Sequence, residues 1–371
     1  QTCALPIFGH LAGSSPLDGQ ANAGIRVHYH TFGCKANQYD TERMRQEAEA
    51  RGAVTTSSRA DADAFVVNTC TVTNQADAEA RRFIRRLRRE QPDARIIVAG
   101  CSAVLKEADY RDMEAVHAVI PGHDPASVAA SLASPTLTQL ELRTPLDRMD
   151  GEPIGGSLLR ERRGAARGWL KVQDGCDRKC SFCATRLARG ASRSRPVEEV
   201  VREARYLAQS HAELVVTGIH IGHYGRDLEE ATSLGRLCAT LLEEVPEARF
   251  RLGSVEATEV DDLLLDLLAT SGGALAPHLH MPLQSGSDPV LRAMRRWHTR
   301  EQYRARALEI AARVAPLGLG ADVITGFPGE RDQDHQDTSR LIEELPFTYL
   351  HVFPFSPRSG TVAESLPDPV P

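Results

Sequence analysis

The sequence has no run of about eighteen apolar residues, the length a membrane-crossing helix needs. Its N-terminus also lacks the basic start and apolar stretch of a secretory signal. These absences make a cytoplasmic protein, with no membrane partner, the expectation. A positive excess is missing too: 44 Lys and Arg against 50 Asp and Glu give a formal charge of −6. That excludes a protein that coats nucleic acid by bulk electrostatics, so any RNA contact must come from local basic patches. Eight cysteines in 371 residues, irregularly spaced, are too few for a disulfide scaffold. They fit metal or redox chemistry in a reducing compartment.

The length implies two domains. Residues 1–24 form a leader without hydrophobic period; its first seven residues read as translated adaptor sequence, which sets Cys3 aside. From Val27 apolar strand candidates (Val27–Phe32, Ala64–Val67, Arg95–Ala99, Val116–Ile120) alternate with helical stretches such as Tyr39–Arg51 and Asn74–Arg89. This order predicts a parallel sheet with helices on its faces over 25–134. A Pro-, Thr- and Gly-rich linker follows at 135–161. A second domain, 162–371, offers strands at Trp169–Val172, Glu213–Thr217, Arg249–Leu252, His278–Met281, Leu319–Thr325 and Tyr349–Phe353. Six β/α units are too few to close an eight-stranded barrel and imply an open one, with its chemistry on the C-terminal strand ends.

The strongest motif is GCDRKCSFC, in which Cys176, Cys180 and Cys183 share one short loop after the first strand of the second domain. Three thiolates there can each bind one iron of a cubane, leaving the fourth iron open to a small molecule. A structural zinc site would want a fourth Cys or His at finger-like spacing, and none is present. Cys34, Cys70 and Cys101 each sit just beyond a strand of the first domain, in FGCKAN, VVNTCTV and VAGCS. Parallel strands place those ends on one edge, so the three can converge; three separate buried thiols are the alternative. Cys238, inside a helical stretch, reads as core.

The loop spacing, with Phe182 before the last cysteine, resembles the radical S-adenosylmethionine (SAM) superfamily. Three cysteines in a preceding domain narrow the resemblance to the methylthiotransferases. FGCKANQYD, NTCTVTNQADAEARR, KVQDGCDRKCSFC, RGASRSRP, TGIHIGHYG, HMPLQSGSD and VITGFPGE carry that resemblance from Val27 to the end. It implies an α/β protein with an N-terminal Rossmann- or flavodoxin-like parallel sheet followed by a radical SAM partial (β/α)6 barrel. It also implies two 4Fe–4S clusters, one on each cysteine trio. At the second trio the open iron would hold SAM for reductive cleavage to a 5′-deoxyadenosyl radical; the first would serve sulfur supply. A tRNA substrate, a reductase or flavodoxin-type electron donor and a sulfur donor are the implied partners.

The flanks GCKANQYD and KVQDGCD are similar to the subfamily acting on N6-threonylcarbamoyladenosine at position 37, beside the anticodon. Isopentenyladenosine in tRNA, or an aspartate of a ribosomal protein, is the alternative substrate. A non-enzymatic iron–sulfur RNA-binding module is the rival from another class. The adenine C2–H bond is unactivated, which suits radical chemistry, and an anticodon-loop base can be splayed out without opening a helix. Family members usually end in a small tRNA-binding β-barrel, which this sequence does not reach.

The same resemblance implies a cofactor lying across the strand ends, which makes Thr217 and Gly218, Glu256, Gln284 and Ser285, and Gly326 with Gly329 its candidate neighbours. Tight turns and a surface carboxylate are the bland readings of the same residues. His278 and His280 alternate on one strand and face one side. The basic candidates for RNA are Arg81 and Arg85 on the Asn74–Arg89 helix, and Arg193 and Arg195 beside the radical loop. A solvated helix face, with arginine stems over apolar surface, is the alternative for the first pair.

Overall fold

The computed structural model describes residues 22, 24–133 and 158–370. Cys3 and most of the 135–161 linker therefore lie outside the described residues, as does nearly all of the leader. In chain order the first unit runs β1 (Arg26–Thr31), α1 (Lys35–Ala50), β2 (Val54–Thr55), β3 (Ala64–Thr69), α2 (Asn74–Glu90), β4 (Arg95–Gly100), α3 (Cys101–Leu105), α4 (Glu107–Arg111), β5 (Ala118–Pro121) and α5 (Pro125–Ala133). The strands form one parallel sheet in the order β2-β1-β3-β4-β5.

Side-chain alternation explains why helices cover both faces. In β3, Phe65 and Val67 join Phe83, Ile84 and Leu87 of α2, whereas Ala64 and Val66 join Met44 and Ala48 of α1 and Val128 of α5. Thr73 caps α2 by accepting from the Ala76 amide at 3.1 Å. Helix α1 starts four residues earlier than the apolar pattern implies, since Lys35, Asn37 and Gln38 carry no hydrophobic signal.

The second unit runs β6 (Arg167–Lys171), β7 (Gln173–Asp174), α6 (Thr185–Arg189), β8 (Arg193–Ser194), α7 (Val197–Ala208), β9 (Glu213–Thr217), α8 (Leu234–Glu244), β10 (Arg249–Leu252), α9 (Asp262–Thr270), β11 (His278–His280), α10 (Asp288–Ala293), α11 (Arg300–Arg313), β12 (Gly318–Thr325), α12 (Asp332–Glu344) and β13 (Tyr349–Pro354). The parallel ladders β6-β9-β10 and β11-β12-β13 meet through the bridges Phe250↔Leu275 and Ser254↔His280. Six strands thus make one open wall, the partial barrel expected. Leu170, Leu214 and Leu252 face Leu237, Leu264 and Ile310 of the outer helices in the largest core.

The first sheet joins this wall through α1. Tyr39 donates to the Glu203 carboxylate of α7 at 3.0 Å, and Gln38 Oε1 accepts from Trp169 Nε1 at 3.1 Å. Farther along, buried Arg358 ties Asn74 and Asp77 of α2 to the segment after β13.

Candidate metal centres and cofactor crevice

Cys34 caps α1 after β1, Cys70 follows β3, and Cys101 opens α3 after β4. These three strands are neighbours, so the sheet delivers all three thiols to one edge. Gly33 has φ +97°, and a Cβ there would lie 2.4 Å from Cys70 Sγ. Only glycine lets the backbone beside Cys34 approach Cys70 so closely. The Val72 amide points at Cys70 Sγ at 3.4 Å, and Cys101 Sγ lies 3.7 Å from His123 Nε2. Burial, joined by the neighbouring cysteines, raises the Cys70 thiol and pushes Cys101 up to about 12. Burial also lowers His123 to about 3, so its imidazole is neutral. Cys34 is exposed, and all seven described cysteines are free. A soft donor set of three sulfurs, open on one side and costly to ionise without a cation, fits an iron–sulfur cluster.

The second trio lies just past β7. Gly175, at φ +69°, folds the loop back so tightly that a Cβ would sit 1.8 Å from the Ala191 carbonyl oxygen. The Cys176 amide donates to the Gly190 carbonyl at 3.1 Å and the Cys183 amide to Cys180 at 3.2 Å. Arg296 Nη1 approaches Cys180 Sγ at 3.7 Å, and His220 Nδ1 lies 3.5 Å from Cys176 Sγ. Desolvation, then the Cys183 and Cys180 neighbours, push the Cys176 thiol up to about 12. Phe182 anchors the loop against Val290, Met294 and Phe327. The three sulfurs share one short loop that carries no fourth cysteine, which fits a cubane with one open iron.

A buried ionic cluster, which the sequence reading did not find, joins the two trios. Arg189, six residues after Cys183, donates to Asp174 at 2.9 and 3.1 Å, to Asn37 Oδ1 at 3.0 Å and to Asp40 Oδ2 at 2.9 Å. Lys171 Nζ binds Asp40 and Asp174 at 2.7 Å each. Two cations face two carboxylates, and the two cations together hold both acids below their ordinary range despite burial. Arg189 also opposes the burial that raises Cys101. The available signal was Asn37 and Asp40 trailing Cys34, and Lys171 and Asp174 leading into Cys176: polar residues packed beside both cysteine loops.

The cofactor candidates separate in space. Thr217 is buried at the end of β9, its carbonyl accepting from the Val172 amide at 2.9 Å. At Gly218 the close approach is to the protein itself: a Cβ would lie 2.7 Å from the Gln173 oxygen. Glu256 is buried and pairs with Arg296, which links it to Cys180. Desolvation raises its pKa, and Arg296 opposes the rise. Gln284, at φ +68°, bridges to β12 through backbone hydrogen bonds at 2.8 and 2.9 Å. Ser285 turns to Thr338 of α12 at 3.2 Å, a packing contact. Gly326 has φ +73°, and a Cβ there would meet the Val370 side chain at 3.9 Å, an ordinary van der Waals contact.

Two neighbouring groups went unread in TGIHIGHYG and RRWH. Glu259 takes His220 at 2.7 Å, His223 at 3.1 Å and Arg178 at 3.0 Å, and those contacts hold its carboxyl far below the usual range despite burial. The Trp297 ring meets the guanidiniums of Arg178 at 4.0 Å and Arg296 at 4.1 Å. On the inner wall, His278 and His280 both reach the Tyr349 hydroxyl, at 2.9 and 3.2 Å, so they do face one side.

Among the basic candidates, Arg195 requires correction. It is fully buried and ion-paired with Glu203 at 2.9 Å beside the Tyr39 hydroxyl, so its guanidinium braces α1 and α7 and is closed to a polyanion. Arg193 and Arg81 are half-buried, and Arg85 is exposed on α2.

Residues 26–122 match the model of the uncharacterized protein family UPF0004, and residues 170–342 match that of the radical SAM superfamily. The threonylcarbamoyladenosine tRNA methylthiotransferase of Bacillus subtilis is 36% identical over 93% of this chain and 76% of its own length. The protein so named in Rickettsia prowazekii is 34% identical over 92% of this chain and 79% of its own. A tRNA-2-methylthio-N(6)-dimethylallyladenosine synthase of Bacillus pumilus is 32% identical over 94% and 69%. Among solved structures, a radical SAM methyltransferase of Kitasatospora setae superposes with a TM-score of 0.65 at 17% identity, covering 89% of this chain and 75% of that one. The same fold, the paired family matches and relatives above 30% identity along nearly the whole chain place this protein among the radical SAM methylthiotransferases.

Proposed function

We propose that this chain is a tRNA-modifying enzyme that converts N6-threonylcarbamoyladenosine at position 37 to its 2-methylthio derivative, using SAM and two 4Fe–4S clusters. The reading rests above all on two cysteine trios brought to one buried ionic cluster, and it is supported by the names of the relatives at 34–36% identity. Cys176, Cys180 and Cys183 would hold the SAM-binding cluster, and Cys34, Cys70 and Cys101 the auxiliary one. When bound, these groups supply the one-electron chemistry that an unactivated C–H bond requires.

The chain's own residues bind, orient and exclude water. Arg296 neutralises Cys180 while fixing the buried Glu256, whose carboxylate would accept from ribose hydroxyls of the bound cofactor. Thr217 ends β9, Gly218 follows it and Gly326 follows β12, positions from which backbone would meet the cofactor. Arg189 and Lys171 lock the two trios in register, so the sulfur-carrying side and the radical side keep one separation. A reductase or flavodoxin-type protein would deliver the electron, and a separate donor the sulfur.

The Bacillus pumilus relative is named for a dimethylallyl substrate, so the test sets the substrates against each other. Anaerobically reconstituted enzyme with SAM and reductant is offered tRNA carrying either threonylcarbamoyladenosine or isopentenyladenosine, and nucleosides are weighed after digestion. A methylthio group on the first alone is expected; its appearance only on the second, or on neither, refutes the assignment.

A further inference from the structure

Helix α2 sits over β3 and β4, through Phe83, Ile84 and Leu87 against Phe65, Val67, Ile96 and Val98. The outer part of β1 on that face is left as the floor of a groove of about 800 Å³. Four rings line it: His28, His30, Phe32 and Phe83. His30 stacks on Phe83 with centroids 4.0 Å apart and planes 28° apart, and Phe32 stands edge-on to His30 at 4.6 Å. Burial lowers His28 and brings His30 to about 4, so at neutral pH these are uncharged platforms.

The rim is cationic. Arg82, Arg85, Arg86 and Arg89 recur at helical spacing along one face of α2, and Arg59 stands on the opposite wall. Against these five arginines stand Glu79 in the groove and Glu90, which Arg59 and Arg86 share at 3.7 Å, leaving a net charge of 5 − 2 = +3. Among the described residues, Arg82, Arg85 and Arg89 have no ion pair. The stripe from Arg82 to Arg89 runs about 10 Å, too long for one small anion and suited to successive phosphates. One end lies at Phe32, two residues before Cys34.

We infer that this groove binds a single-stranded RNA segment, with an unstacked base against the His30, Phe32 and Phe83 rings and backbone phosphates along the α2 arginines. Aromatic platforms beneath arginines match the chemistry of bases and phosphates together, which an acidic protein surface would not use. The groove would then hold nucleotides flanking the one that enters the crevice at Cys34.

The experiment measures binding of a fluorescent anticodon stem-loop RNA to the metal-loaded chain against salt concentration, for wild type, R82Q/R85Q/R89Q and the charge-keeping R82K/R85K/R89K. These side chains touch neither trio, so iron content and SAM cleavage are expected to stay at wild-type level. Loss of three phosphate contacts should weaken binding at least tenfold and flatten the log–log salt slope by about 2. The lysine variant should recover most of both. An H30A variant should weaken binding by several-fold with the slope unchanged, since it removes a platform and no charge.

Affinity and slope within twofold of wild type in the glutamine variant overturn the inference. So does loss of binding to an acidic flavodoxin-type protein with RNA affinity intact. The assay scores RNA binding and not which adenosine is modified, so its failure is separable from failure of the substrate assignment on which the choice of RNA rests.

Discussion

Replacing Arg189 with Met removes four hydrogen bonds to Asp174, Asn37 and Asp40 from a site where every side chain is at least nine-tenths buried. Lys171 alone then faces two carboxylates, and the cluster passes from neutral to a net charge of −1. Breaking a buried charge network by deleting one partner costs about 3–5 kcal/mol, far above the range of an exposed pair. In the wild type both acids titrate below 3.8 when folded, so their contribution is present above that pH and is lost as pH falls through the folded values. In the variant, burial is offset by Lys171 alone, so the carboxyl pKa values rise from their wild-type positions. The deficit is therefore full at neutral pH and shrinks on acidification. Urea unfolding of the full-length metal-free chain at pH 7 and near pH 4.5 reads both quantities. A deficit under about 1 kcal/mol at pH 7, or one that grows in acid, would refute the reasoning. R189K, which keeps the charge and loses the planar fork, should fall between.

Anaerobic reconstitution should give about eight irons per chain; C34A, C70A or C101A should bring this to about four without abolishing SAM cleavage, whereas C176A should lose the other four and the cleavage. G33A forces a Cβ to 2.4 Å from Cys70 Sγ at a left-handed backbone position, so it should mimic C70A in iron count while leaving the radical loop loaded. E203Q strands Arg195 with a neutral partner in the α1–α7 seam and should cost about 3 kcal/mol in unfolding, with RNA affinity unchanged at fixed loading.

The parallel strands were legible because runs such as AFVVNT and RIIVAG are apolar on both faces, a pattern that only a sheet covered twice explains. The cysteine positions were legible from spacing in one trio and from strand ends in the other. The ionic cluster was not, because Asp40 meets Lys171 and Arg189 only when α1 docks on β6, across 131 and 149 residues of sequence. Arg195 misled for a related reason: proximity to the radical loop reads as exposure. Yet Glu203 lies on the inward face of α7 beside Val200, Ala204 and Leu207, and an acid among apolar residues calls for a buried cation.

The two trios differ in how they can come into being. Cys176, Cys180 and Cys183 span eight residues, so even a nascent chain can chelate iron there. Cys34, Cys70 and Cys101 are separated by 36 and 31 residues (70 − 34 and 101 − 70) and meet only after β1, β3 and β4 have zipped together. Iron at that edge is bound by the native state alone, so loading it adds its full binding free energy to the sheet, while iron on the short loop is shared with the unfolded chain and adds less. Starvation for iron would then loosen the N-terminal sheet before it loosens the barrel.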